Sequence, residues 1–390
     1  MVMPLAGGGT VRERDRLDTP LDASQPAAER PRRRWPSRRL ALGLSPTPRS
    51  GLLLLVIGVA LGPHGLRVLS ESVLASLDPA VSVALVALGV LVGLEVKVRP
   101  PGEGRLLAVA SLDAGITILI VGIGMALVQA WSSTAEQTPW LLALMLGICA
   151  APSATPADGA EDARHRLAAR VGDLDDVLPI VLSALVVVWT RPDTPAAYAW
   201  LFAQGSLLAV AMALAASLLV TQTSSENEQR VFVIGALLLL GGAAAHLSLS
   251  ALFAGLAAGL FWSATDGPAR DRVARDVRYL QHPLTVLLLV VAGARLEFSS
   301  DVLGVGVAYA VLRIAGKLVG GWVAAHVTRE LPLRFGLSLS APGVVGIAIA
   351  LNVLQARGGA GATMFAIVIA GSLGAELLSL LPGPRQDGLA

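Results

Sequence analysis

Twelve apolar blocks, most of them close to the length of a bilayer-spanning helix, follow one another between residues 51 and 381. A helix needs about 20 mostly apolar residues to cross the hydrocarbon core. Read with that ruler, the blocks lie at 51–69, 79–96, 106–131, 139–157, 166–190, 196–221, 231–247, 248–264, 281–298, 302–326, 335–356 and 361–381. Residues AVILMFWYC make up 54% of the chain and DEKR only 15%, against about 25% charged in a soluble domain. Too little polar surface remains for a water-soluble globule, so an ordinary soluble enzyme is excluded. The chain reads as an all-α integral membrane protein of about 12 transmembrane helices. Its single cysteine, Cys149, excludes a disulfide framework and any Cys-based zinc or iron–sulfur site. No cofactor and no resident metal are expected, and nothing points to nucleic acid.

The charges are distributed unevenly. Residues 1–49 carry ten arginines against five acids and include RPRRRWPSRR. This segment is expected to be a disordered basic cytoplasmic tail. Its arginines can bind anionic lipid headgroups, at about 1 kcal/mol per basic residue near the surface. A twin-arginine signal is the alternative, but the following apolar stretch, LALGLS, is shorter than a useful signal core. With the N-terminus inside, 24 of the 30 basic residues fall in cytoplasmic segments and four (Arg67, Arg191, Arg295, Arg357) fall outside. Without the tail the ratio is still 14 to four. The positive-inside rule therefore supports twelve spans with both termini cytoplasmic, in a bacterial inner membrane. The weakest boundary is the AHLSLS stretch between the seventh and eighth blocks. Merging them would put the arginines of 270–278 outside, against that rule. The transmembrane domain is expected at 50–382, followed by a short cytoplasmic tail at 383–390.

A charge at bilayer depth is costly and marks a functional candidate. The first cluster is Asp173, Asp175 and Asp176, in RVGDLDDVLPIVLSALVVVW. The bland reading is a helix cap near Gly172. Against it, RLAAR upstream reads as good helix. A helix starting near His165 would place the Asp pair about 11 residues in, roughly 16 Å along the axis and near mid-membrane. The second feature is Lys317, with Arg313 one turn earlier on the same face. Lys317 could snorkel, yet it lies about nine residues from Arg329 and sixteen from Asp301, deeper than snorkelling serves. The chain has 28 Arg and only two Lys, Lys97 and Lys317. Arg keeps its proton in any protein setting, whereas a buried Lys can release it. Either a lysine that must sometimes be neutral or chance explains the choice. Asp113 and Glu376 are also intramembrane acids, lining an access path or pairing with a neighbour. His64 and His165 read as solvated interfacial residues, with pH sensing the alternative. Glu95 and Lys97 read as closing a helix end.

Two blocks contain helix breakers. ICAAPSATPAD carries Pro152 and Pro156 in the fourth, and LSAPGVVG carries Pro342 and Gly343 in the eleventh. Proline removes a backbone donor and clashes with the preceding turn. Broken backbone at membrane depth is tolerated where it is buried in protein or lines a cavity. Paired breaks in corresponding positions of two halves point to a transporter site. Blocks three to five and ten to twelve repeat the order helix, broken helix, helix. The span count gives the two units opposite orientations, so two inverted three-helix repeats with broken crossing helices are expected.

These segments together resemble the monovalent cation:proton antiporter superfamily, the fold of the bacterial Nha- and Nap-type sodium/proton antiporters. The resemblance rests on GVALGPHGL (58–66), VALGVLVGLEVK (86–97), SATPA (153–157), GDLDDVLPIVLSALV (172–186), LSALFAGLAAGL (249–260), HPLTVLLLVVAGARLEF (282–298), LRIAGKLVGG (312–321) and RFGLSLSAPGVVGIAI (334–349). It implies an elevator-type transporter. Core helices would lie at about 106–190 and 302–381, and scaffold helices that form a homodimer at about 51–96 and 196–298. It implies that Asp176 alternately binds cation and proton, that Asp175 pairs with Lys317, and that Thr155 and Ser153 supply neutral oxygens. Asp173, Arg313 and Asp113 would be accessory. One departure stands out: many members have an acid immediately after the Thr of the fourth-span break, where this chain has Pro156. The nearest acid is Asp158.

The expected function is exchange of a monovalent cation, Na+ first, for protons, with electrogenic stoichiometry. The second proton could ride on Lys317, released when the ion breaks its pair with Asp175. In the competing scheme Lys317 stays charged and both protons ride on the two carboxylates. A K+-preferring or electroneutral exchanger, a sodium-coupled organic-anion symporter and a channel or sensor are the alternatives.

Overall fold

The computed structural model describes residues 48–97, 102–131, 139–154, 163–189, 195–223, 225–247, 249–265, 267–297, 300–328, 331 and 335–379. Thr155, Pro156 and Asp158, the tail to residue 47 and the segment 383–390 lie outside the described residues. The described residues form α-helices and one 3-10 turn. In chain order these are α1 (Pro48–Leu61), α2 (Glu71–Ser76), α3 (Asp78–Glu95), α4 (Glu103–Trp131), α5 (Pro139–Ala150), α6 (Ala163–Leu174), α7 (Val177–Trp189) and α8 (Pro195–Gln222). There follow α9 (Glu226–His246), α10 (Ala251–Ala264), α11 (Pro268–Ala294), α12 (Ser300–Thr328), α13 (Phe335–Ser338), α14 (Val344–Arg357) and α15 (Ala362–Ser379). Among the described residues six helices, α3, α4, α8, α9, α11 and α12, are long and apolar enough to cross a membrane by themselves. Shorter apolar helices occur within α5, α10, α14 and α15.

Local chemistry sets the boundaries, and in places it moves them from the apolar blocks. The first block continues to residue 69, but α1 stops at Leu61 because Pro63 cannot extend a helix. The weak boundary between blocks seven and eight is a real break: α9 ends at His246 and Ser250 caps α10, its Oγ accepting from Phe253 N at 3.2 Å. The fifth block is not one helix. It turns at Asp175 and Asp176 between α6 and α7. Pro179 explains the turn, since its missing N–H is the one that would bond the carbonyl of Asp175. The aspartates thus interrupt a helix; they do not cap one starting at Gly172. The eleventh block divides likewise, with α13 ending before Pro342 and α14 starting after Gly343.

Glycine stripes bring helix pairs to backbone contact. A Cβ added at Gly89 would lie 2.1 Å from Leu252 O, and one at Gly255 2.1 Å from Val86 O. One turn on, a Cβ at Gly93 would lie 2.5 Å from Leu256 O and one at Gly259 2.4 Å from Val90 O. Contacts rise together along both chains, so α3 and α10 run parallel. This is the small-xxx-small spacing that lets membrane helices approach. The same reading makes α1 parallel to α11 (Gly58, Gly293) and α12 parallel to α15 (Gly306, Gly371). It makes α4 antiparallel to α5 (Gly147 on Ile118) and to α12 (Gly124 on Leu312, Gly320 on Asp113).

Packing partners fall into two groups. Helices α1, α3, α8, α9, α10 and α11 pack mainly on one another. Helices α4, α5, α12, α13, α14 and α15 form the other group, with α7 and α14 also touching the first.

Candidate functional site

The two broken segments meet. Residues Ser153 and Pro342 form an isolated antiparallel bridge, and Ala154 N donates to Ala341 O at 3.1 Å. Here Gly343 is required by space: an added Cβ would sit 2.8 Å from Ser153 O and 2.9 Å from its carbonyl carbon. Chain breaks leave carbonyls at helix ends without helical donors, and these carry partial negative charge. Arg313 answers that need from α12. Its guanidinium donates to Pro152 O at 2.7 Å, Ser340 O at 2.5 Å and Ala341 O at 3.3 Å. One cation therefore holds both broken segments.

Lys317, the next turn of α12, reaches carboxylates. Its Nζ donates to Asp175 Oδ2 at 2.8 Å and to Asp113 Oδ2 at 2.9 Å. All three side chains are 0% exposed. Ser153, at the break, donates its hydroxyl to the same Asp175 Oδ2. Four elements thus converge: α4, the break after α5, the α6–α7 turn and α12. Space for Asp113 comes from glycine. A Cβ at Gly320 would lie 2.6 Å from Asp113 Oδ1, and one at Gly316 3.1 Å from the Thr117 methyl. Oδ1 of Asp113, Asp175 and Asp176 is in each case buried with no hydrogen-bond partner among the described residues. A buried polar atom left so is costly, unless water or an ion reaches it. Among the described residues no group of three or more His, Cys, Asp or Glu is placed as a metal cage. The lysine stands between two of the acids instead.

The structure therefore brings together Asp175, Asp176, Ser153, Lys317, Arg313, Asp113, Pro342 and Gly343 of the expected set. Asp173 lies in the last turn of α6. Thr155 and Pro156 fall outside the described residues. The sequence reading left Asp113 open between an access path and a neighbouring partner; it is the second partner of Lys317. What it missed was the glycine cradle. The spacing Gly316-xxx-Gly320 on the helix of the buried cations was the available signal.

No protein-family model matches the chain, and no curated protein matches it by sequence. The fold is similar to that of a solved sodium/proton antiporter. One such structure is that of the sodium proton antiporter MjNhaP1 from Methanocaldococcus jannaschii at pH 8, with a TM-score of 0.63 and 16% sequence identity. The match covers 84% of this chain and 92% of that one.

Proposed function

We propose that this protein exchanges a monovalent cation, Na+ first, for protons across a bacterial inner membrane. The observation that carries the reading is the fully buried Asp113–Lys317–Asp175 cluster, beside Asp176, where two broken helices cross. The antiporter fold shared with MjNhaP1 supports it. The topology proposed is twelve spans with both termini inside and two inverted three-helix repeats. The alternating parallel and antiparallel pairs support this, because each agrees with the parity of the spans involved. In the same proposal α4–α7 and α12–α15 are the moving core, and α1–α3 and α8–α11 are the scaffold and homodimer interface.

The chemistry follows from competition for one set of oxygens. Sodium is a hard cation and takes oxygen ligands, by the logic of other hard ions. Asp176 and Asp175 each have one buried, unpartnered oxygen, and Ser153 supplies a neutral one. A carboxylate out of water must hold either a proton or a cation to offset its charge. Cation bound at one face and proton at the other gives exchange. Lys317 has a second carboxylate in Asp113, so it keeps an anionic partner when Asp175 turns to the cation. That favours the scheme in which Lys317 stays charged and both protons ride on carboxylates, which is electrogenic for one Na+.

The test is reconstitution in proteoliposomes with a trapped pH-sensitive dye, stepping lithium, sodium and potassium. Asp176→Asn is expected to abolish cation-driven proton flux. Persistent flux would sink the site assignment, and solute uptake without proton release would point to a symporter.

A further inference from the structure

Asn352 and Gln355 are three residues apart on α14 and so share a face. That face meets the scaffold group. Asn352 is 2% exposed and uses both ends of its amide. Its Oδ1 accepts from Ala251 N at 3.1 Å, and its Nδ2 donates to Ser250 Oγ at 3.1 Å. It thereby completes the cap of α10. Gln355 donates to Asp78 O at 3.2 Å and to Asp78 Oδ1 at 3.3 Å, at the start of α3. The same Asp78 carboxylate holds Arg295, at the end of α11. All these groups lie at one end of the bundle, the outer end in the orientation proposed above.

We propose that Asn352 and Gln355 are a latch that fastens the outer end of α14 to the first turns of α10 and α3, and that it opens in each transport cycle. The inference rests on the cation-exchange reading. Its logic is mechanical. Helix α14 begins just after Gly343, which lies against Ser153 of the crossing, and carries the latch in its last two turns. A helix of 14 residues is a stiff rod of about 21 Å. Movement of the crossing relative to the scaffold must therefore shear these bonds. Their release leaves a buried amide and a helix N-terminus without partners, which is the costly case. Space for water to take over exists on both sides: cavities of about 440 and 200 Å³, each lined by Asp78 and Gln355. The opposite end is tied differently. There Arg170 of α6 binds the carboxylates of Glu95 and Glu103, and in the Glu103 pair the two side chains are only 17% and 11% exposed. Both ends of the bundle are therefore fastened, the inner end by a charged cluster and the outer end by the neutral amides of Asn352 and Gln355.

The test uses the full chain with Ser250→Cys and Asn352→Cys together, reconstituted and bridged by Hg2+. Bridging is expected to stop flux, and thiol reductant to restore it, while wild type with only buried Cys149 is unaffected. Full flux in the bridged pair would overturn the latch. A second measurement does not depend on transport. In Asn352→Ala, or Ser250→Ala if the first does not fold, amides at 251–254 should exchange hydrogen about five- to tenfold faster. Unaltered protection also overturns the proposal. If the variant loosens but the wild type moves no cation, the exchange reading fails and the fastening contacts stand.

Discussion

Two glycines on one helix make opposite predictions when each becomes alanine. At Gly320 the new methyl would lie 2.6 Å from Asp113 Oδ1 and 2.8 Å from Asp113 O. Carbon–oxygen contacts settle near 3.3–3.6 Å, so α4 and α12 must part by roughly 0.5–0.7 Å. Rotating the carboxylate does not help, because the backbone oxygen also clashes. Separation of that size carries the 2.9 Å bond from Lys317 out of good hydrogen-bond range. Overpacking costs about 1–3 kcal/mol, and loss of a charge-assisted bond adds about 1.5–3 kcal/mol. Gly304 lies on the same α12 with nothing within 4 Å of its would-be Cβ. Alanine there should be neutral or stabilising by up to about 1 kcal/mol. The assay is thermal unfolding in detergent followed by tryptophan fluorescence, alongside flux in liposomes. Gly320→Ala is expected to melt well below wild type and to lose most exchange, and Gly304→Ala to match wild type in both. If the two variants behaved alike, the close approach of α4 to α12 would be wrong, and with it the shared lysine.

Lys317→Gln leaves Asp113 and Asp175 facing each other without their ammonium. Breaking a buried pair by removing one partner typically costs about 3–5 kcal/mol. Adding Asp113→Asn to that variant should recover part of the loss in melting temperature, and no recovery would refute the triad. Where exchange survives, unchanged voltage dependence supports a lysine that stays charged, and loss of voltage dependence supports a lysine that carries the second proton. Arg313→Lys keeps the charge but replaces the planar fork with one ammonium. Serving both broken segments then fails, with about 1–3 kcal/mol lost and a lower maximal rate at unaltered cation KM; wild-type rate and stability would refute the clamp.

Much of this arrangement was legible in the sequence, because a bilayer leaves few solutions. Apolar length located helices, and charges inside them stood out as exceptions. Asp175, Asp176 and Lys317 were visible on that ground alone. So were the two breaks, since Pro152, Pro342 and Gly343 sit where a helix has no reason to stop. Other features depended on three-dimensional approach. Asp113 is a lone acid in an apolar helix, and only the antiparallel seating of Gly320 against it identifies its partner. The turn at Asp175 was hidden because RLAAR favours helix, while the disrupting proline lies four residues downstream. Asn352 and Gln355 look like ordinary polar residues near a helix end. Their partners are about 100 and 280 residues away, beyond any local pattern.

The two buried cations of α12 explain each other's chemistry. Carbonyls at helix breaks present a broad array of weak negative ends, spread over two chain segments. Guanidinium suits them because its donors are fixed in a plane and fan out to several acceptors. Arg313 spans Pro152, Ser340 and Ala341 in this way. The carboxylates pose the opposite problem: full charges close together, where a compact ammonium can sit between two oxygens. Lys317 does so at 2.8 and 2.9 Å. Because Arg313 already serves the helix ends, Lys317 is not needed to offset them and is free to engage acids. A chain with 28 arginines and two lysines therefore has a physical reason for placing one of its lysines here. An arginine at 317 would bring a wider head between two carboxylates that the ammonium already reaches at 2.8 and 2.9 Å, with all three side chains fully buried.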